Sequence, residues 1–218
     1  MMANRMPTHE TPQSGFWRGR FGREYSHRNA PTEDTICFRA RLWARILPFE
    51  KEQDPNSICE IGANVGINLR ALKRVSTATL YGVEPNDFAR QCLIDDGVLP
   101  ADRVMDGLTT GIPLPDGAVD LAFTSGVLIH VAPEDIEKSC EEIHRVSRRY
   151  IACLECFADK PEERLYRGHS ERLFKRDFRD FYLSMFPDLR LINYGFVWKR
   201  ATGIDNVTWQ LFEKPVKG

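Results

Sequence analysis

From residue 57 onward, short apolar runs alternate with segments whose apolar residues recur every three or four positions. The runs at 57–61, 79–84, 103–105, 119–124 and 150–157 predict buried strands, and 65–75 predicts an amphipathic helix between the first two. Pro133 followed by Glu134 and Asp135 predicts a helix start, because proline suits the first turn and acids oppose the positive end of the helix dipole. Ile136, Cys140 and Ile143 then mark the core face of that helix. Strand alternating with helix predicts a parallel sheet covered on both faces. After Phe157 the pattern changes. Phe174, Phe178, Phe181, Tyr182 and Met185 form one helical stripe that stops at Pro187, a packing face rather than a cofactor box. Runs at 189–197 and 207–212 predict a last pair of strands joined by the polar turn 199–206.

A chain of 218 residues supports one domain with some decoration and a sizeable core. The formal charge of -1 gives no global drive toward nucleic acid or an anionic membrane. No apolar run reaches the length of a membrane span and no signal-peptide core is present, so the expected location is cytoplasmic. The polar stretch 1–14 reads as a mobile tail. Six cysteines lack the spacing of a secreted scaffold. Cys153 and Cys156 match C-x-x-C, but three positions along a strand they face opposite sides of the sheet, and no second pair completes a metal site. They are expected to be reduced structural thiols, with no metal. Arginines crowd 18–45, and basic residues crowd 164–179, so two basic clusters flank the sheet region and could form an anion-attracting rim.

The chemistry concentrates at the predicted strand ends. Glu60-x-Gly62-x-Asn64-x-Gly66 follows the first strand; the two glycines let the backbone turn tightly against a ligand, and Asn64 tolerates a left-handed conformation. Glu60 favours a ligand carrying an ammonium or hydroxyls over a bare pyrophosphate. Glu84 ends the second strand, where a carboxylate can accept hydrogen bonds from both hydroxyls of a ribose. Asp106 ends the third and could meet an adenine amino group. Residues 113–131 then read as a turn, a buried strand and a polar mouth.

These ordered motifs, over residues 57–156, resemble a class I S-adenosylmethionine-dependent methyltransferase. The resemblance implies an α/β, Rossmann-like fold with a seven-stranded, mostly parallel sheet, helices on both faces and a terminal antiparallel strand pair. It implies a tail and helical cap over 1–50 and a catalytic domain over 51–218 with an acceptor-pocket insertion around 158–180. Segments 16–29, 165–169, 173–178, 194–200 and 208–214 are similar to the methylases associated with pseudaminic acid biosynthesis. That likeness implies a small acceptor, expected to be anionic, such as a nonulosonic or nucleotide sugar, and a monomer or homodimer without nucleic-acid or membrane partners.

S-adenosylmethionine is the implied cofactor, held by Glu60, Gly62, Asn64, Gly66, Glu84, Pro85, Asp106, Gly107 and Ser125, with Arg28 on its carboxylate. His130, after the fourth strand, is either a base or a residue that orients the acceptor. Tyr25 either closes over the donor or merely packs. Glu155, Arg167, His169, Tyr194 and Trp198 are acceptor-pocket candidates. Alternatives are methylation of an amino acid or amine metabolite, an oxidoreductase or epimerase on a related sheet, and a donor-binding regulatory protein without catalysis. The loop lacks Gly-x-Gly-x-x-Gly spacing, which counts against the oxidoreductase.

Overall fold

The computed structural model describes residues 11–48, 50–202 and 205–215. One sheet holds seven strands: β1 (Ser57–Ile61), β2 (Thr79–Val83), β3 (Val104–Met105), β4 (Val119–Ser125), β5 (Ser147–Glu155), β8 (Arg190–Val197) and β9 (Val207–Glu213). Their spatial order is β3-β2-β1-β4-β5-β9-β8. The first five pair in parallel, as the strand–helix alternation predicts; β9 is antiparallel to both β5 and β8, as the resemblance implies. A separate antiparallel pair, β6 (Glu162–Glu163) with β7 (Phe174–Lys175), projects from the region after β5. Strand order reverses between β1 and β4, so their carboxyl ends splay apart and leave a crevice.

Alternation along the strands feeds two cores. Tyr150, Ala152 and Leu154 of β5 join Trp43 and Ile46 of α3 (Glu33–Ile46) and Leu69 and Leu72 of α4 (Ile67–Val75) on one face. Ile151 and Cys153 join Ile136, Cys140 and Ile143 of α6 (Ile136–Val146) and Tyr182 of α7 (Phe178–Met185) on the other. Helix α5 (Asp87–Asp95), capped by Asn86, and the short α8 (Lys199–Thr202) complete the connections. The sequence reading did not include α5: its run is too polar to stand out, although Asn86 caps it and Ala89 and Leu93 are buried.

Several boundaries differ from the sequence reading. Helix α4 starts at Ile67, because Gly66 before it takes φ 76, outside the helical region. Phe174 lies in β7 and not in the α7 stripe, since the Asp177 carboxylate accepts from the Arg179 and Asp180 amides and starts the helix there. Thr11–Ser14 is no tail: Thr11 and Ser14 form a reciprocal capping box that opens α1 (Pro12–Arg18), and Ser14 is buried. Residues 1–10 of the expected tail lie outside the described residues. Within 1–50, α1 and α2 (Arg20–Arg28) form the cap, whereas α3 packs into the core. Cys153 is buried and Cys156 half-buried just past β5, and no cluster suited to a metal ion occurs among the described residues. No described helix is long and apolar enough to cross a membrane.

Trp43 anchors the α3 layer. It is fully buried, its ring lies 4.5 Å from that of Phe123, and its Nε1 donates to Asn68 Oδ1 at 3.3 Å. Trp43→Ala is expected to lower the unfolding free energy by about 3–5 kcal/mol in urea titration, the range for emptying such a site. Phe196→Ala, on a residue 55% exposed, should change it by no more than about 0.5 kcal/mol. Equal effects would mean that the α3 layer is not part of the cooperative core.

Candidate functional site

The loops that leave β1, β2, β3 and β4 surround one cavity of about 220 Å³. Residues 60–68 form its floor, with Glu84, Pro85 and Asn86, residues 107–110, and residues 125–127 around the side. Trp17, Tyr25 and Ser26 of the cap and His130 close the remaining wall. The loop geometry follows from its residue types. Gly62 and Gly66 take φ 78 and 76, and a Cβ on Gly62 would fall 2.5 Å from Val127 Cγ2. Asn64 takes φ 45, the left-handed conformation its side chain tolerates.

Three carboxylates stand at or just past strand ends, and their partners separate their roles. Glu60 is buried; Asn68 Nδ2 donates to its Oε1 at 2.7 Å, while its Oε2 has no partner. Burial pushes its pKa up to about 8, against the opposing effects of Asn68 and Arg39. Glu84 is also buried, and burial raises its pKa as well. Its Oε2 accepts the Asn64 amide at 2.7 Å and its Oε1 accepts the Asn86 amide at 2.8 Å. Each carboxylate oxygen has a second lone pair, so Glu84 retains capacity for two hydroxyl donors. Glu155 is different. Its Oε1 accepts the Val127 and Leu128 amides at 3.1 Å each, and burial lifts its pKa to about 7.

His130 is buried between the rings of Trp17 and Tyr166, with centroids 4.8 and 4.7 Å away. Its Nδ1 lies 2.6 Å from the Arg172 carbonyl oxygen. A carbonyl only accepts, so Nδ1 carries the proton and Nε2 is the ring's acceptor. Burial lowers the pKa to about 4, which keeps the ring neutral at pH 7. Tyr25 packs edge-on against Trp17, and burial pushes its hydroxyl up to about 12, so it remains a donor.

The cavity therefore brings together Tyr25, Glu60, Gly62, Asn64, Gly66, Glu84, Pro85, Gly107, Ser125 and His130. Other expected site residues fall elsewhere. Arg28 lies over the Phe21 ring and 3.9 Å from Glu24, away from the cavity lining. Asp106 pairs with Arg18 at 2.7 Å and Arg90 at 3.3 Å beside the cavity, which occupies the carboxylate expected at adenine. Glu155 supports the turn before His130 and has no exposed surface to offer an acceptor. Tyr194 and Trp198 lie on or just after the edge strand β8, 66% and 52% exposed, outside the cavity lining. Arg167 and His169 occupy the turn between β6 and β7; His169 packs edge-on against Phe16 and Phe21 of the cap.

Arg39 is among the lining residues the sequence reading missed, with Trp17, Ser26 and Asn86. It lines the cavity, points Nη1 at Ser125 Oγ at 3.4 Å, and its charge lowers the pKa of Glu60. Burial lowers its own pKa. Its signal was faint: one arginine among several on α3, on the side that holds buried Ile36, Ala40 and Trp43.

Residues 59–150 match a family model described as a methyltransferase domain. No curated protein matches the chain in sequence. Its fold is that of solved methyltransferases. One from Thermotoga maritima is 16% identical with a TM-score of 0.63, over 90% of this chain and 97% of that one. The magnesium protoporphyrin IX methyltransferase of Synechocystis PCC 6803, solved with S-adenosylhomocysteine, is 11% identical with a TM-score of 0.64, over 93% and 98%. The 1,6-didemethyltoxoflavin-N1-methyltransferase of Burkholderia thailandensis, also with S-adenosylhomocysteine, is 15% identical with a TM-score of 0.59, over 88% and 82%. The likenesses show the fold, and the matched domain spans the strand ends that build the cavity. The chain thus carries a methyltransferase domain over residues 59–150, set in the class I methyltransferase fold.

Proposed function

We propose that the cavity binds S-adenosylmethionine along its floor and a small-molecule acceptor beneath the cap, for N- or O-methylation. The observation that carries this reading is the pairing of Glu60, with one unpartnered oxygen, and Glu84, with two spare lone pairs, across the glycine-marked loop. Glu60 suits the donor's ammonium, Arg39 its carboxylate, and Glu84 its ribose hydroxyls. The bound donor supplies an electrophilic methyl on a sulfonium. What the chain contributes is alignment and exclusion of water. The neutral His130 ring, fixed through its Nδ1–H, offers Nε2 to the hydrogen of an acceptor hydroxyl or amine. A pKa near 4 makes it a weak base, so it orients the nucleophile more than it removes the proton. Tyr25 offers its hydroxyl from the same wall.

The acceptor we infer is small and anionic, such as a nonulosonic or nucleotide sugar. This rests on the likeness of the two ends of the chain to the pseudaminic acid-associated methylases. Arg167 also supports it, since its charge reaches the Tyr25 hydroxyl. An amine metabolite is the second reading. It is favoured by the aromatic wall of Trp17 and Tyr25 and by the lining itself, where Arg39 is the one lysine or arginine among the described residues. Turnover of a metabolite panel separates them. Salt should raise the Michaelis constant of an anionic acceptor more than it weakens donor binding, because exposed charge attraction is screened. Turnover confined to cationic amines, without salt dependence, would leave only the second reading.

Two further outcomes are expected. Glu60, with a pKa raised to about 8, is largely protonated at pH 7 in the free protein, and an opposing ammonium favours the carboxylate. Donor binding at pH 7 should therefore release close to about one proton, read by calorimetry in buffers of different ionisation enthalpy. Glu60→Gln should abolish the release; a release that persists in that variant assigns the proton to another group. For His130, the acid limb of kcat/KM for the acceptor, at saturating donor, should fall near pH 4 and not near 6.5. His130→Ala should remove that limb and cut turnover about 10-fold or more while donor affinity persists. Wild-type rate and saturation behaviour in this variant exclude it from the reaction.

A further inference from the structure

The cap is tied to the loops that follow successive strands of the sheet. Ser26 of α2 places its hydroxyl 2.6 Å from Asn64 Oδ1, in the loop after β1. The same hydroxyl lies 3.0 Å from the Gly22 carbonyl, so Ser26 joins the loop side chain to the cap backbone. After β2, Asn86 Nδ2 donates to the carbonyls of Trp17, Arg18 and Gly19 at 3.0, 3.1 and 3.3 Å. After β3, Asp106 holds Arg18. After β4, the Gln13 side-chain amide donates to the His130 carbonyl.

Asn64 differs from the other ties because it belongs to the donor loop itself. Its amide is held by Glu84 Oε2, its backbone is left-handed, and its side chain is thereby aimed at α2. Many loops of this kind carry glycine at that position, and glycine would supply the same backbone with no side chain. We propose that Asn64 is a positioning residue that latches the cap: the pose of its backbone beneath the donor sets the hydrogen bond that holds α2, and with it Trp17 and Tyr25, over the acceptor. This rests on the donor-site reading above. Donor occupancy and cap closure then share one coupling free energy. Whatever factor the donor contributes to closing the cap, the latch contributes equally to holding the donor.

The test uses the full-length protein with S-adenosylhomocysteine as probe. Trypsin reports cap opening, because Arg20 and Arg23 are exposed on α2 and are cut when the helix detaches. In the wild type, S-adenosylhomocysteine should slow cleavage at these sites. Ser26→Ala and Asn64→Gly should each reduce that protection by about three- to tenfold, the scale of one net hydrogen bond. Each should weaken S-adenosylhomocysteine by the same factor in calorimetry. The double variant should lose no more than either single one, since both remove the same bond. Circular dichroism of the variants without ligand, unchanged from wild type, shows that the fold persists. Full protection in either single variant, or a double variant that loses the product of the two, overturns the latch. Absence of S-adenosylhomocysteine binding to the wild type instead overturns the donor-site reading, and the latch with it.

Discussion

The Glu84 carboxylate is the contact on which the rest of the site depends. It takes the Asn64 amide on one oxygen and the Asn86 amide on the other, so a single buried side chain registers the loop after β1 against the turn after β2. Neither amide has a helix or ladder partner at that point, and leaving either unpaired in a buried setting would cost about 1–3 kcal/mol. The Gly62 and Ala63 amides reach the Val83 carbonyl at 2.8 and 3.1 Å and reinforce the same seam. Once the seam is set, Asn64 faces the cap from one side and Asn86 from the other.

Burial alone does not say what a carboxylate is for. Glu60, Glu84 and Glu155 are all buried and burial raises the pKa of all three. The Val127 and Leu128 amides both reach Glu155, which holds the turn that presents His130. Glu60 has one oxygen engaged and one idle, an arrangement that costs stability unless something else completes it. Counting donors around each oxygen therefore separates Glu60, with an idle oxygen, from Glu155, where residue type and exposure do not.

The parallel strands and the covered faces were legible in the sequence, because the strands are short apolar runs that alternate with segments of helical spacing. Glu60 and Glu84 were legible too, since their positions follow directly from where a strand ends. What escaped notice were contacts between segments far apart in sequence. Arg39 sits on a helix whose periodicity speaks only of packing, and its neighbour Glu60 lies on β1, a separate element. Glu155 lies near a strand end as Glu60 does, and the backbone amides of residues 127–129 show that it is spoken for. Tyr194 and Trp198 were expected at the acceptor pocket, yet the antiparallel pair carries them to the sheet edge.

Asn86 grips the end of α1 by three main-chain carbonyls and by none of its side chains. Any residue supplies a carbonyl, so the grip is indifferent to which side chains α1 displays. A lineage could replace Phe16 or Trp17 and remodel the side chains beside the cavity without loosening the grip on α1. The fold thus separates what must stay constant for the cap to sit down from what can drift to meet a new substrate.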